Sequence, residues 1–264
     1  MPFCLLVYFH GFLYFIKGGG RLNMNKTNIG WTDYTWNPVS GCTKISDGCL
    51  HCYAEALCKR WGKSFEVKLH PEKLKEVKKI PAGSKVFVNS MSDLFHPDVP
   101  TQFINQVIDA IRSRPDVIFQ VLTKRPEQLR LRLAHVWQIL PKNMWLGVSV
   151  ESNKYLNRIK ILQEIDGPYF IFKGLKFISF EPLLEGIDIF SLNLKDIAWI
   201  VVGGESGKNR RPFNEQWARN IRDKCEIYSI PFFYKQGSDF KPGKNDILDG
   251  KIYKQFPSYE LEGE

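Results

Sequence analysis

From residue 84 onward the chain alternates short apolar runs with longer amphipathic stretches. The short runs are Lys85–Asn89, Val117–Thr123, Met144–Val150, Lys176–Phe180, Ala198–Val202 and Pro231–Lys235. They are nearly continuous in apolar and β-branched residues rather than alternating apolar with polar, the pattern of parallel strands covered on both faces. Between them the period changes to that of a helix. Phe103, Ile104, Val107, Ile108 and Ile111 mark one face over 101–112, and Trp217, Ile221, Cys225 and Tyr228 do so over 214–228. Ser152 is placed as an N-cap for a helix over 152–165 that carries Tyr155, Leu156, Ile159 and Leu162. The pieces 171–186 and 187–202 lie too close together for a full helix, which predicts a short turn as their crossover.

Strand, crossover and strand at intervals of about 20 to 35 residues predict repeated right-handed βαβ units. A further strand around Trp31–Trp36 brings the count to about seven. The expected fold class is α/β, a complete or partial parallel (β/α) barrel of about six to seven strands. An open doubly wound sheet is the alternative, which periodicity does not separate from a barrel. Length supports one such domain over 24–240, followed by a surface tail over 241–264. No internal repeat or low-complexity tract is visible.

The first 23 residues do not match the rest. Residues 3–16 form an apolar run too short to span a bilayer comfortably. The charges Lys17 and Arg21 follow that run, whereas a signal peptide carries them before it. Met24 is the expected natural start and 1–23 a mis-called leader, with an N-terminal membrane anchor as the alternative.

Hydrophobic content of 44% with 25% charged residues is that of a soluble globular protein without membrane association. The formal net charge of +9 suits polyanionic partners and serves solubility equally. Six cysteines, unevenly placed, exclude a secreted disulfide framework and point to a reducing, cytoplasmic compartment.

In parallel α/β folds the reactive side chains project from the C-terminal ends of the strands. Those ends are polar here. They read Asn89-Ser90-Met91-Ser92-Asp93, Thr123-Lys124-Arg125, Ser149-Val150-Glu151, Ser179-Phe180-Glu181-Pro182, Gly203-Gly204-Glu205-Ser206 and Lys235-Gln236-Gly237. Any one strand can end in a polar residue because it meets water. The coincidence across all six, with Glu151, Glu181 and Glu205 placed alike, predicts a functional rim. The run Gly203 to Asn209 is not a phosphate-binding P-loop, because its glycine spacing is one residue short and Asn209 stands where Ser or Thr would reach magnesium.

Cys42, Cys49 and Cys52 fall within eleven residues of one loop, in a C-x6-C-x2-C pattern. Three thiolates suit a four-iron cluster that keeps one iron open, whereas a closed structural site takes four ligands. Zinc is the alternative, with a fourth ligand from His51, His70, His96 or Cys58; no second Cys-x-x-Cys is present to complete a four-cysteine site. Cys58 and Cys225 read as small buried apolar residues on helices.

The cysteine loop between a strand and a helix starting near Tyr53 resembles the radical S-adenosylmethionine superfamily. The block Trp31 to Glu55, with Trp-Asn-Pro, Gly-Cys and Cys-x-x-Cys-Tyr-Ala-Glu, together with the strand-end motifs, resembles an uncharacterised family encoded by phages and prophages. The superfamily's commonest spacing is C-x3-C-x2-C, three residues shorter, and its Gly-Gly-Glu element normally follows the second strand rather than a late one. The resemblance implies a 4Fe-4S cluster on Cys42, Cys49 and Cys52 with S-adenosylmethionine on the fourth iron. One-electron reduction, by a reductant protein, would release a 5′-deoxyadenosyl radical. The cofactor contacts it implies are Asn89, Ser90, Asp93, Lys124, Glu151, Glu181, Gly203, Gly204 and Glu205. Lys124, Arg125, Arg130, Arg132, Arg210 and Arg211 near the expected mouth favour a nucleotide or nucleic-acid substrate. The alternative function is a zinc-stabilised phage nucleic-acid-binding protein without radical chemistry.

Overall fold

The computed structural model describes residues 25–133, 138–165 and 170–259. The expected leader over 1–23 and the last residues of the tail, 260–264, lie outside the described residues. Seven parallel strands form one curled sheet: β1 (Tyr34–Trp36), β2 (Lys85–Val88), β3 (Ile118–Thr123), β4 (Met144–Ser149), β5 (Lys176–Phe180), β6 (Ile197–Gly203) and β7 (Phe232–Gln236). Each strand pairs in parallel with the next one in sequence. A doubly wound sheet reverses its strand order at a switch point; this one never does. It is therefore a partial (β/α) barrel. Asn25–Lys26 adds an antiparallel strand outside β1, and among the described residues a single bridge, from Phe233 to Lys254, lies beyond β7, so these strands do not close the barrel.

The helices α1 (Tyr53–Arg60), α2 (Thr101–Arg112), α3 (Pro126–Leu133), α4 (Asn157–Gln163) and α5 (Glu215–Ile227) alternate with the strands. The apolar stripe of α2 is buried as the sequence pattern requires, with Phe103, Ile104, Val107, Ile108 and Ile111 packed in the layer outside the sheet. The helix expected over 152–165 is split. A 3-10 turn at Asn153–Tyr155 precedes α4, and the Ser152 side chain makes no capping bond. Glu185 replaces it, accepting the Asn153 N–H at 2.7 Å. The crossover from β5 to β6 is a single 3-10 turn at Ile189–Ser191, the short connection its spacing demands.

Because side chains alternate across a strand, each strand feeds two cores. One faces the helices; the other fills the lumen. Trp31, Phe87, Trp145, Phe177, Trp199 and Phe233 form a buried aromatic floor near the N-terminal strand ends. Trp31 and Phe87 ring centroids lie 4.7 Å apart, and Trp199 stacks on Phe256 at 5.3 Å. Gly147 makes room for that floor, since a Cβ there would sit 2.4 Å from the Phe177 ring. The segment after β7 returns beneath the floor, where Gln255 accepts the Trp199 indole N–H at 2.9 Å and Tyr259 meets Trp145 edge-on. No helix among the described residues is long and apolar enough to cross a membrane.

Candidate cofactor site at the open end of the half-barrel

The loop between β1 and α1 lies across the C-terminal ends of the strands. It carries Cys42, Cys49 and Cys52, all half-buried free thiols. Little apolar surface holds it down: Ile45 and Leu50 point outward, at 41% and 55% exposure. Three carboxylate-centred networks hold it instead.

The first starts from Asp93, after β2. Asp93 accepts from the Thr123 hydroxyl at 2.8 Å and the Lys124 N–H at 3.0 Å, and pairs with Arg125 at 3.4 Å. The Arg125 guanidinium then donates to Cys42 Sγ at 3.5 Å and to the Thr43 carbonyl at 2.9 Å. His96 and Thr43 share a further bond of 2.8 Å. Burial pushes the Cys42 thiol pKa up and the Asp93 charge adds to it, while Arg125 pulls it back.

The second is centred on Glu151, at the end of β4 and wholly buried. It accepts from Ser46 at 2.6 Å, Lys124 at 2.8 Å and Arg158 of α4 at 2.7 Å. Ser46 Oγ lies 3.4 Å from Cys49 Sγ. Gly48 permits this close approach, because a Cβ there would lie 2.4 Å from the Glu151 side chain. Burial alone would raise the Glu151 pKa. The Lys124 and Arg158 charges outweigh it and hold the carboxyl below its ordinary value.

The third is centred on Glu205, after β6. Glu205 meets His51 Nδ1 at 3.2 Å and accepts from the Arg211 N–H at 2.8 Å and the Arg211 guanidinium. Arg211 also donates to the Asp47 carbonyl at 2.9 Å. Burial again opposes ionisation, and the Arg211 donors with His51 win, lowering the Glu205 pKa. Asp93, Glu151 and Glu205 thus each fix one stretch of the cysteine loop.

The remaining rim residues face inward or organise backbone. Glu181 pairs with Lys235 across the lumen and rests against Gly203, where a Cβ would lie 3.3 Å from its carboxyl carbon. Asn89 adopts a left-handed conformation (φ 60°) and its side-chain oxygen Oδ1 accepts the Val39 N–H at 3.2 Å. Its side-chain nitrogen Nδ2, like the Ser179 hydroxyl, is buried without a hydrogen-bond partner. Ser90 binds Asn37 through its hydroxyl at 3.2 Å and takes the Tyr53 hydroxyl on its carbonyl. Gly204 packs backbone to backbone, its N–H on the Gln236 carbonyl at 2.9 Å. Ser46 and Arg158 belong to the site without any sequence signal: one is an ordinary loop serine, the other a cation on a helix face that only the fold buries.

Among the described residues no three His, Cys, Asp or Glu side chains are gathered closely enough to hold one metal ion. A tetrahedral zinc with bonds of about 2.3 Å brings its sulfurs within roughly 4 Å of one another. A cluster takes each thiolate on a different iron, so it suits thiols on one loop that do not converge on a point. The histidines weighed as a fourth zinc ligand are engaged elsewhere: His51 with Glu205, His70 with Ser40 at 2.8 Å, and His96 with Thr43. Three thiols on one loop at the barrel mouth, one of them beside the Arg125 guanidinium, supply the donors a cluster takes.

A family model described as a protein of unknown function (DUF5131) matches residues 26–257. The chain belongs to this family. No curated protein matches the chain. Among solved structures, a cysteine-to-serine mutant of spore photoproduct lyase is similar with a TM-score of 0.51 and 13% identity, over 84% of this chain and 79% of that one. Spore photoproduct lyase complexed with dinucleoside spore photoproduct is similar with a TM-score of 0.51 and 12% identity, over 83% and 79%. At these identities the likeness is one of fold, and it extends the half-barrel reading to this member of the family.

Proposed function

We propose that this chain is an iron–sulfur enzyme of the radical S-adenosylmethionine type acting on a nucleotide or nucleic-acid substrate. One observation carries the reading: three strand ends of a parallel half-barrel each clamp one stretch of a three-cysteine loop at the barrel mouth. Cys42, Cys49 and Cys52 would hold a 4Fe-4S cluster and leave its fourth iron to S-adenosylmethionine. Bound there, this pair supplies reductive cleavage of the sulfonium and a hydrogen-abstracting radical, with the electron delivered by a reductant protein.

The chain's own residues position and insulate. Arg125, beside Cys42, places positive charge against a thiolate. The Glu181–Lys235 pair, the Asn89 amide and the Ser179 hydroxyl offer charge and hydrogen bonds to a polar ligand entering the lumen. The aromatic floor closes the far end and keeps water from that side. Spore photoproduct lyase, a radical S-adenosylmethionine enzyme, shares the fold and is complexed with a dinucleoside, which supports the substrate class. The net charge of +9 agrees with it.

Anaerobic purification with iron and sulfide assay tests the proposal. The expected result is a brown protein with about four irons per chain, lost in Cys42→Ala. Reduction with dithionite should then cleave S-adenosylmethionine. Colourless protein with one zinc per chain would overturn the radical reading in favour of a zinc-stabilised nucleic-acid-binding protein.

A further inference from the structure

The stretch from Lys59, at the end of α1, to Lys79, ahead of β2, carries eight Lys and Arg against three Glu, so 21 of 264 residues hold five of the nine net charges. Folding places that charge beside the mouth. The Phe65 carbonyl accepts the Cys42 N–H at 3.1 Å, and Lys68–Leu69 pairs with Val39–Ser40 at the root of the cysteine loop. Further along, the Lys73 carbonyl accepts the Trp36 indole N–H of β1 at 2.9 Å. A band of cations therefore runs from the cysteine loop down the outside of β1.

Solubility alone does not explain the band, because cations elsewhere on the surface are matched. Arg219 meets Asp249 at 2.8 Å, and Lys160 meets Glu164 at 4.0 Å. Lys59, Arg60, Lys68, Lys75 and Lys78 are exposed and pair with no carboxylate among the described residues. Glu55, one turn before Lys59, is taken by Lys44 at 2.9 Å, and Glu72 by His70 at 3.3 Å. Like charges gathered without counter-ions raise a positive potential that a polyanion relieves.

The band also holds a ring. Trp61 is 56% exposed, with the Lys63 ammonium 5.8 Å from its centroid. Any base can stack on such a ring. α1 leads from there to the mouth: Arg60 and Tyr53, seven residues apart, share one face of the helix, and the Tyr53 hydroxyl rests on the Ser90 carbonyl at the rim. Two features choose among polyanions. Protein interfaces are poor in lysine and centre on apolar contacts, whereas this band is rich in lysine. A duplex keeps its base faces stacked inside and offers none to Trp61.

We propose that the band from Lys59 to Lys79, with Trp61, is the binding surface for a single-stranded nucleic acid, which it leads along α1 to the mouth. Phosphates lie on the unpaired cations and a base on the Trp61 ring. This rests on the nucleotide or nucleic-acid reading given above and narrows it to a strand, of DNA or of RNA.

Fluorescence anisotropy of the full chain with a labelled oligothymidylate, in a salt series, tests it. Replacing Lys59, Arg60 and Lys68 together by Gln should weaken binding about tenfold or more and flatten the log–log salt slope by about 2. Trp61→Ala should weaken it about fivefold or more and leave the slope unchanged. Lys59→Arg with Lys68→Arg keeps the charge and should bind as wild type. Replacing Lys142, Lys173 and Lys195 by Gln, exposed cations ahead of β4, β5 and β6 at the other end of the barrel, should change neither quantity. Oligouridylate competing as well as oligothymidylate admits RNA, and its failure to compete fixes the strand as DNA; either supports the surface. A duplex of equal length bound as tightly as the strand would overturn the proposal. So would polyglutamate or anionic vesicles competing as well as the strand, wild-type binding in both variants, or an equal loss in the distant triple variant. Iron and sulfide measured on the same preparation separate the two claims: zinc-bearing protein with Trp61-dependent binding keeps the surface and sinks the radical chemistry.

Discussion

Replacing Glu151 by alanine removes the negative centre from the most buried ionic cluster of the rim. Glu151 is 0% exposed, and its oxygens are taken by Ser46, Lys124 and Arg158 at 2.6, 2.8 and 2.7 Å. The alanine variant leaves the Arg158 guanidinium buried without its anion and frees the Ser46 hydroxyl. Removing one partner of a buried ion pair costs about 3–5 kcal/mol, a large part of the roughly 5–15 kcal/mol that stabilises a domain. For a chain of this size each kcal/mol moves Tm by about 2–4 °C, so Tm should fall by roughly 6–20 °C. Thermal unfolding of the metal-free protein, followed by circular dichroism at neutral pH, measures it. Glu151→Gln keeps the shape and an acceptor for Ser46, and should lose clearly less. A Glu151→Ala variant melting within about 2 °C of wild type would refute the claim that this carboxylate anchors the loop.

The rest of the rim makes three further predictions. Gly48→Ala drives a methyl group to 2.4 Å from the Glu151 side chain; it should lift the cysteine loop and lower iron retention after anaerobic reconstitution. Gly147→Ala produces an equally close contact with the Phe177 ring in the floor, so calorimetry should show a loss of about 1–3 kcal/mol while iron per folded chain stays at the wild-type level. The third concerns acid. Glu151 and Glu205 have folded pKa values below the ordinary 4.5, so their stabilisation is complete above the unfolded value and is lost as pH falls through the lower folded one. Tm of the metal-free protein should therefore drop below about pH 4, and Glu151→Gln should make that drop shallower.

Six of the seven barrel strands were legible because strands buried on both faces must be apolar nearly throughout; the first, Tyr34–Trp36, is short and half-buried and shows no such run. The helix over Thr101–Arg112 was legible because its five core residues recur at one period. Closure was not legible. Whether the last strand returns to the first depends on curvature summed over the sheet, which no local pattern records. The paired strands Gln138–Leu140 and Phe170–Phe172 are three residues each, too short to show a period. At the site, the cysteines and the strand-end carboxylates could be named from position, but not what each carboxylate binds. Glu151 finds Ser46 across 105 residues of sequence, and Glu205 finds His51 across 154. The fold turns both toward the loop.

That arrangement follows from what the loop lacks. A segment with Ile45 and Leu50 in solvent cannot be held by apolar burial, so polar contacts must fix it. Ionic contacts suit the task for a reason other than strength: a buried ion pair adds little net stability over an apolar substitute, but its hydrogen bonds fix direction as well as distance. Asp93 reaches the Cys42 arm through Arg125, Glu151 reaches the Cys49 arm through Ser46, and Glu205 reaches the stretch from Asp47 to His51 through Arg211 and the imidazole. Once those three are committed, Glu181 is the strand-end carboxylate without a loop partner. It pairs with Lys235, both side chains about one-fifth exposed at 20% and 18%, between the floor and the cysteines. A partly solvated pair can exchange its partner for a ligand's charge at far lower desolvation cost than a fully buried one. The division of labour on the rim is therefore three carboxylates that hold the loop and one, Glu181, that pairs with Lys235 across the lumen.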